Sequence, residues 1–377
     1  MSESLTNIQK VPAQEVGIDG QWTHVIGKSH TLIAGLNLLE VMGTSEEQIF
    51  YSATHIANSV SGRQQRTAGI FAEDVFRIGQ NWTLIAAARF DHWANFNGGS
   101  FRTPLTPSGV AVNKIFPDRT GNAFSPRLSV MRSLRGTLTA TASVYRAFRA
   151  PTLNELYRSF RVGNVLTQNN AALKAETLTG GEAGLAGTGF QEKLSVRGTF
   201  FWTETSNPVA NVTLTTTPTL ITRQRQNLGH TRSRGVELDA VGRLSSSWQV
   251  SGGYAFTDST VISFPADNSL VGLRVPQVAQ HQFTSELRYW NPSRLMLTLQ
   301  GRFVGLQFDD DQNSLPLGIF GVLNLLLARN LYRGVQGFID IENVLNTRYA
   351  VGRTPVPTLG PPILFRIGVR LAYPMQK

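Results

Sequence analysis

Pro362-Ile-Leu-Phe-Arg-Ile-Gly-Val-Arg-Leu-Ala-Tyr373 alternates two kinds of side chain almost without error. Ile363, Phe365, Ile367, Val369, Leu371 and Tyr373 fall on one face, with Arg366, Gly368, Arg370 and Ala372 on the other. Successive side chains of a strand point to opposite faces, so this segment is a strand with an apolar side and a wet side. Two settings suit it: the edge of a soluble β-sandwich or a stave of a membrane barrel. Alternation alone does not separate them.

The same pattern recurs along the chain. In Gly136–Val144, Leu138, Ala140, Ala142 and Val144 oppose Thr137, Thr139, Thr141 and Ser143. In Lys193–Thr203, Leu194, Val196, Phe200 and Trp202 oppose Lys193, Ser195, Arg197, Thr199 and Thr203, with Phe201 as the exception. Strand length and turn spacing favour the barrel. Short connections occur near Gly27-Lys-Ser29, Gly79-Gln-Asn81, Ser133-Leu-Arg-Gly136, Ser245-Ser-Ser247, Asn291-Pro-Ser293 and Tyr332-Arg-Gly334. Long polar stretches lie between them, at Glu46–Arg63, Asn97–Gly121, Ala150–Lys174, Asn207–Thr219, Ser259–Gln277 and Val351–Pro361. Short turns alternating with long loops are the rhythm of an outer-membrane barrel. Ile221–Leu244 and Gly334–Ala350 each read as one strand, well beyond the length usual in globular sheets.

Composition agrees. The chain has 377 residues, 41% hydrophobic and only 16% charged, below the roughly 25% of soluble globular proteins. It has no cysteine, which removes disulfides, thiolate metal sites and cysteine nucleophiles. The longest nearly apolar run, Ile319–Ala328, includes Asn324 and is about half the length of a membrane-spanning helix. A membrane location therefore means a barrel. The net charge of +10 invites a nucleic-acid reading. The arginines, however, are dispersed at alternating positions such as Arg197, Arg288, Arg302, Arg366 and Arg370, without a basic helix or finger spacing. They fit a wet lumen or an anionic membrane rim, and no nucleic-acid partner is expected.

Gly368, Leu371 and Tyr373 match the spacing of the assembly signal that closes bacterial outer-membrane barrels, which the last strand resembles. Phe124-Ser-Pro-Arg-Leu-Ser-Val130 and Ser143-Val-Tyr-Arg-Ala-Phe-Arg-Ala-Pro-Thr-Leu-Asn-Glu-Leu-Tyr157 look like the most distinctive stretch of TonB-dependent receptor barrels. Leu173–Thr177, Asn227–Leu238, Phe308–Asn313 and Asp340–Tyr349 follow in family order. The resemblance implies an all-β antiparallel meander barrel over residues 15–377, preceded by an irregular segment 1–14 belonging to an extracellular loop. Roughly fifteen strands are expected, against about 22 and an N-terminal plug in the family. The start, lacking a secretory signal, is expected to be that of a C-terminal portion, inactive alone because two open edges are costly in lipid. The resemblance implies TonB-energised uptake of a scarce nutrient chelate, most often a ferric siderophore. Expected partners are outer-membrane lipid, the barrel-assembly machinery and, through the plug, TonB. Alternatives are a passive porin-like channel, or cobalamin or saccharide as cargo.

No catalytic group, cofactor site or metal site is expected. The glycines of Gly180–Gly189 lack the strand–turn–helix setting of a dinucleotide fingerprint. Asp309, Asp310 and Asp311 could hold calcium through several carboxylate oxygens, yet three acids at a strand top read first as solvated loop charge. Tyr145, Arg146, Phe148, Arg149 and Tyr157 sit where a strand becomes an outward loop and are the candidates for facing a ligand. Trp82, Trp248, Trp290, Phe303 and Tyr332 lie near strand ends, where aromatic girdles meet membrane interfaces.

Overall fold

The computed structural model describes residues 5–291, 293–332 and 334–371. Strands occupy 71% of the chain and helix 2%, so pairing between strands carries the architecture. Seventeen strands form one antiparallel meander, but two pairs of them are single staves interrupted near a proline. Asn7–Lys10 and Ala13–Ile26 both pair with His30–Tyr51 in one continuous register, with Val11 and Pro12 between them. Val112–Ile115 and Arg119–Arg135 do the same against Trp82–Pro104, with Pro117 in the gap. Proline has no N–H for a ladder, so the ladder skips there and resumes in step. Merging each pair turns seventeen strands into fifteen staves, the number the alternation predicts. Among the described residues, Ala13–Ile26 and Leu364–Leu371 each have a neighbour on one side only.

Register decides which side chains share a face. Arg366 stands opposite Asp340 and bonds both it and Glu342. Following the rungs across the sheet places Arg302, Glu286, Asp239, Arg197, Tyr145, Arg127 and Asp91 on that same inner side. The outer side carries Ile367, Phe303, Leu238, Phe200, Leu185, Val144, Leu128 and Ile70 by the same rungs. Ile70, Val144, Leu185 and Ile367 are 62%, 59%, 54% and 74% exposed. A continuous apolar band of this kind is far larger than a soluble monomer tolerates; it is the lipid-facing surface. On the inner wall single apolar side chains such as Trp93 and Met296 are buried without forming one of the described apolar clusters. Buried apolar clusters occur instead at the loop-bearing end: Phe116 with Leu156, Tyr157 and Leu173; Val212 with Val261 and Phe264; Val304 with Phe320 and Tyr349.

Several expectations need correction. Within the segment expected to be irregular, Asn7–Lys10 instead pairs with Glu46–Ile49, while residues 1–4 lie outside the described residues. The stretch Glu46–Arg63 is not a loop: His30–Tyr51 and Thr54–Ile78 run on as a hairpin with Ser52 and Ala53 at positive φ in the turn. Polar residues there sit on a paired strand because Ser45 and Glu47 bond to Gln9. Ile221–Leu244 is split at Leu228-Gly229 into Ile221–Asn227 and His230–Arg243, which belong to different sheets. Gly334–Ala350 ends as a strand at Glu342, where Asn343 turns the chain by bonding Thr347 in both directions.

The closing strand shows why its glycine matters. The Phe338 ring lies across Gly368, where any Cβ would collide with it. Leu371 faces outward and is 75% exposed, whereas Tyr373 lies outside the described residues. Trp82, Trp248 and Tyr332 stand at the short-turn ends of their strands, and Phe303 near the loop end of its own. The Arg132 guanidinium covers the Trp82 ring at 4.7 Å, and Trp248 packs on Tyr289 at 4.8 Å. Trp290 differs: it pairs with Met296 on the face of Glu286 and Arg288, so it points inward and leaves the girdle.

Candidate functional site

The loop-bearing end is a folded cap. Its one α-helix among the described residues, Leu153–Tyr157, follows Pro151 and starts on a capping box. The Thr152 hydroxyl accepts from the Glu155 N–H at 3.2 Å, and the Glu155 carboxylate accepts from the Thr152 N–H at 2.8 Å. Both bonds satisfy donors that a helix start leaves orphaned. Arg149 grips Glu155 at 2.9 and 3.1 Å and also donates to Glu176. Burial alone would raise the Glu155 carboxyl, but the bonds from Arg149 and Thr152 outweigh it and hold it below its ordinary value.

A second sheet of four strands lies beyond the helix: Phe160–Val162, Val165–Gln168, Ile221–Asn227 and Val209–Thr216. Val165–Gln168 runs parallel to Ile221–Asn227, so two loops far apart in sequence are stitched into one sheet. Arg158 and Arg225 both lie over the Phe160 ring, at 4.6 and 5.4 Å. Arg225 is buried and donates to the carbonyls of Asn154 and Arg158 at 2.7 and 2.9 Å. Arg158 donates to Glu47 at 3.1 Å and thereby anchors the cap to the inner wall.

This geometry divides the five candidate residues. Tyr145 and Arg149 face inward, on the side of Ser143 and Glu182. Arg146 and Phe148 face outward by the same register, with Val144 and Trp202. Tyr157 is 1% exposed among Phe116, Leu156 and Leu173, with its hydroxyl unpartnered; it is core. Two recesses of similar size reflect the same division. The first, about 700 Å³, is lined by inward Asp239, Glu286, Arg302 and Asn324 and by Tyr349 and Pro361 of the cap. The second, about 710 Å³, is bordered by Leu128, Val144, Arg146 and Trp202 and opens on the lipid face, away from any path through the wall. Only the first has the size and mixed polar lining of a small-molecule site. Alternation marked Arg302 as a wet-side residue, but nothing in the chain announced that Tyr349 and Pro361 would roof the recess.

The aspartate run also differs from expectation. Asp309, Asp310 and Asp311 are 9%, 5% and 8% exposed and are not solvated loop charge. Among the described residues no group of three or more His, Cys, Asp or Glu is placed to hold a metal ion.

Comparison with known proteins follows the same lines. Residues 4–344 match the model of the TonB-dependent receptor-like β-barrel family. The ferrichrome outer membrane transporter/phage receptor of Escherichia coli is 31% identical over 129 residues, which is 32% of this chain and 17% of that protein. The probable TonB-dependent receptor BfrD of Bordetella pertussis is 21% identical over 323 residues, 81% of this chain and 40% of that one. In structure, the ferric yersiniabactin uptake receptor FyuA of Yersinia pestis matches with a TM-score of 0.76 and 16% identity, over 98% of this chain and 56% of that one. The ferric-catecholate import receptor Fiu of E. coli matches at 0.71 and 16%, over 96% and 55%. The chain thus spans about half the length of these solved receptors and less of the two sequence relatives.

Proposed function

The chain belongs to the TonB-dependent receptor-like β-barrel family of the bacterial outer membrane, and we propose that it forms the wall and outer mouth of a receptor for ferric siderophore uptake. Energy would come through TonB, and the staves from Asn7 onward act as the barrel domain. The observation that supports this best is the pairing of a lipid-facing stave wall with a folded polar cap over an inward recess. A passive pore has no use for a cap whose loops are bonded to one another. The names of the relatives point to chelated iron: ferrichrome, catecholate siderophore and ferric pyoverdine.

Within that reading, Tyr145 and Arg149 remain ligand-side residues and Arg146, Phe148 and Tyr157 do not. Trp82, Trp248 and Phe303 serve as membrane-interface aromatics, and Gly368, Leu371 and Tyr373 as the assembly signal. The test is uptake of radioactive iron, presented as ferrichrome or a ferric catecholate, by cells expressing this chain with a plug and the remaining staves supplied on the same or a second chain. Energised uptake should stop when the proton gradient is collapsed. Accumulation that continues unchanged without the gradient would support the porin-like channel.

A further inference from the structure

Three consecutive buried carboxylates with no Arg, Lys or His ion pair among the described residues are an unusual thing to build, because burying a charge is costly unless hydrogen bonds meet it. Here neutral donors meet each one, and the donors come from different loops. Asp309 accepts from the Gln277 side chain at 2.9 Å, from the Arg353 and Thr354 N–H groups at 2.9 and 2.8 Å, and from the Thr354 hydroxyl at 2.8 Å. Asp311 accepts from the Thr213 N–H at 2.9 Å and its hydroxyl at 2.8 Å. Asp310 closes its own turn through Ser314 and Leu315, and Asn313 takes positive φ there. None of the three is in an ion pair among the described residues: Arg353 turns its guanidinium to the Pro316 carbonyl, and Arg274 to Gln280.

The bonds form a closed circuit. Residue 309 holds the 343–361 loop and the 264–280 loop, and residue 311 holds the Val209–Thr216 strand of the four-stranded sheet. That sheet returns to the start through Arg223, whose guanidinium donates to the Thr354 hydroxyl at 3.1 Å. We infer that Asp309 and Asp311 are positioning residues that lock these loops into one pre-assembled cap, so that they open and close together and not as separate flaps. This rests on reading the cap as the ligand-gathering mouth, since Tyr349 and Pro361 of the locked loop roof the inward recess. Both oxygens of each carboxylate accept. An amide could keep its oxygen on the backbone donors and turn its NH₂ to the side-chain partner, Gln277 or the Thr213 hydroxyl, whereas an alanine removes both acceptors.

The natural absence of cysteine makes spin labelling clean. Labels at Leu214→Cys and Val356→Cys, both exposed positions, report the distance between the sheet and the 343–361 loop in the detergent-solubilised protein without ligand. The expected result is one narrow distance distribution, broadened at least about twofold in Asp309→Ala and in Asp311→Ala. Asp258→Asn, in an ion pair with Arg234 elsewhere, should leave it narrow. A distribution already broad in the parent, or still narrow in either aspartate variant, overturns the inference.

Should the variants lose heat-modifiable folding, the labelled parent is titrated with acid. Asp309 is faced by Asp310 and Asp311 on its own hairpin, by Gln277 with Arg274 nearby, by Arg353, and by Arg223 through Thr354. Broadening as Asp309 protonates supports the lock; a distribution that stays narrow once infrared absorption shows the carboxylates protonated contradicts it. Because no siderophore is present, failure here leaves the uptake reading untouched, and failure of uptake leaves the lock untouched.

Discussion

The wall and the cap are built by different physics. Most staves of the wall follow period two where they cross the bilayer, and the wall's stability comes from ladders plus a face dissolved in lipid. The cap obeys no period. It holds through side chains that bond backbone groups far away in sequence, such as Arg225 on Asn154 and Asp309 on Arg353. A wall is tolerant along its outer face and intolerant where backbones meet. A cap is intolerant at single polar residues.

Variants that separate the two regions range from large effects to small. Gly235→Val should be the most damaging, because a Cβ there runs into the Phe256 carbonyl and the Phe201 ring. Overpacking of this kind costs about 3 kcal/mol or more, and the folded, heat-modifiable species should disappear from gels. Glu47→Ala should act chiefly on the cap, with a smaller effect on the edge segment Asn7–Lys10. It removes the acceptor for Arg158, Asn7 and Gln9 and strands a mostly buried guanidinium. The loss is about 2–3 kcal/mol, below the full cost of breaking a deeply buried pair because Arg158 keeps some solvent access. Amide exchange should rise across 150–174 while the staves stay protected.

Acid should loosen the cap before the wall. Burial pushes the Asp309 carboxyl up, but bonds from Gln277, Arg353 and Thr354 outweigh it and hold it below its ordinary value. A depressed carboxylate stabilises the folded state at pH above its unfolded value, and that contribution is lost as pH falls through the lower folded value. Exchange in 350–359 should therefore increase only below the ordinary aspartate range. Thr152→Ala, which deletes half of the capping box, should cost about 1 kcal/mol, visible as faster exchange in Leu153–Tyr157. The mildest contrast is functional: Tyr145→Ala should weaken siderophore binding several-fold, and Arg146→Ala, on the lipid side, should leave it unchanged.

The contrast also explains what could be read from the chain. Leu138–Val144 and Ile363–Leu371 declare their faces because lipid on one side and water on the other impose opposite chemistry on neighbouring residues. Glu46–Arg63 hides a hairpin because its strands rise beyond the bilayer, where both faces are polar and alternation vanishes. A Thr54–Ile78 strand of 25 residues extends far past the roughly 9–11 that cross a membrane. Asp309–Asp311 looks like solvated charge because its donors lie up to 98 residues away, beyond any local pattern. Arg146 and Phe148 were paired with Tyr145 and Arg149 by proximity, and a single register step sends them to the opposite side.

The central claim is that a membrane wall divides even from odd residues along Leu138–Arg149. Single spin labels placed in turn at Ala142, Ser143, Val144, Tyr145, Arg146 and Ala147, with the protein in lipid bilayers, measure collision with oxygen and with a water-soluble nickel chelate. Oxygen access should peak at Ala142 and Val144 and nickel access at Ser143, Tyr145 and Ala147, the two curves out of phase with a period of two. Two curves that rise and fall together, or a profile without alternation, would contradict the account.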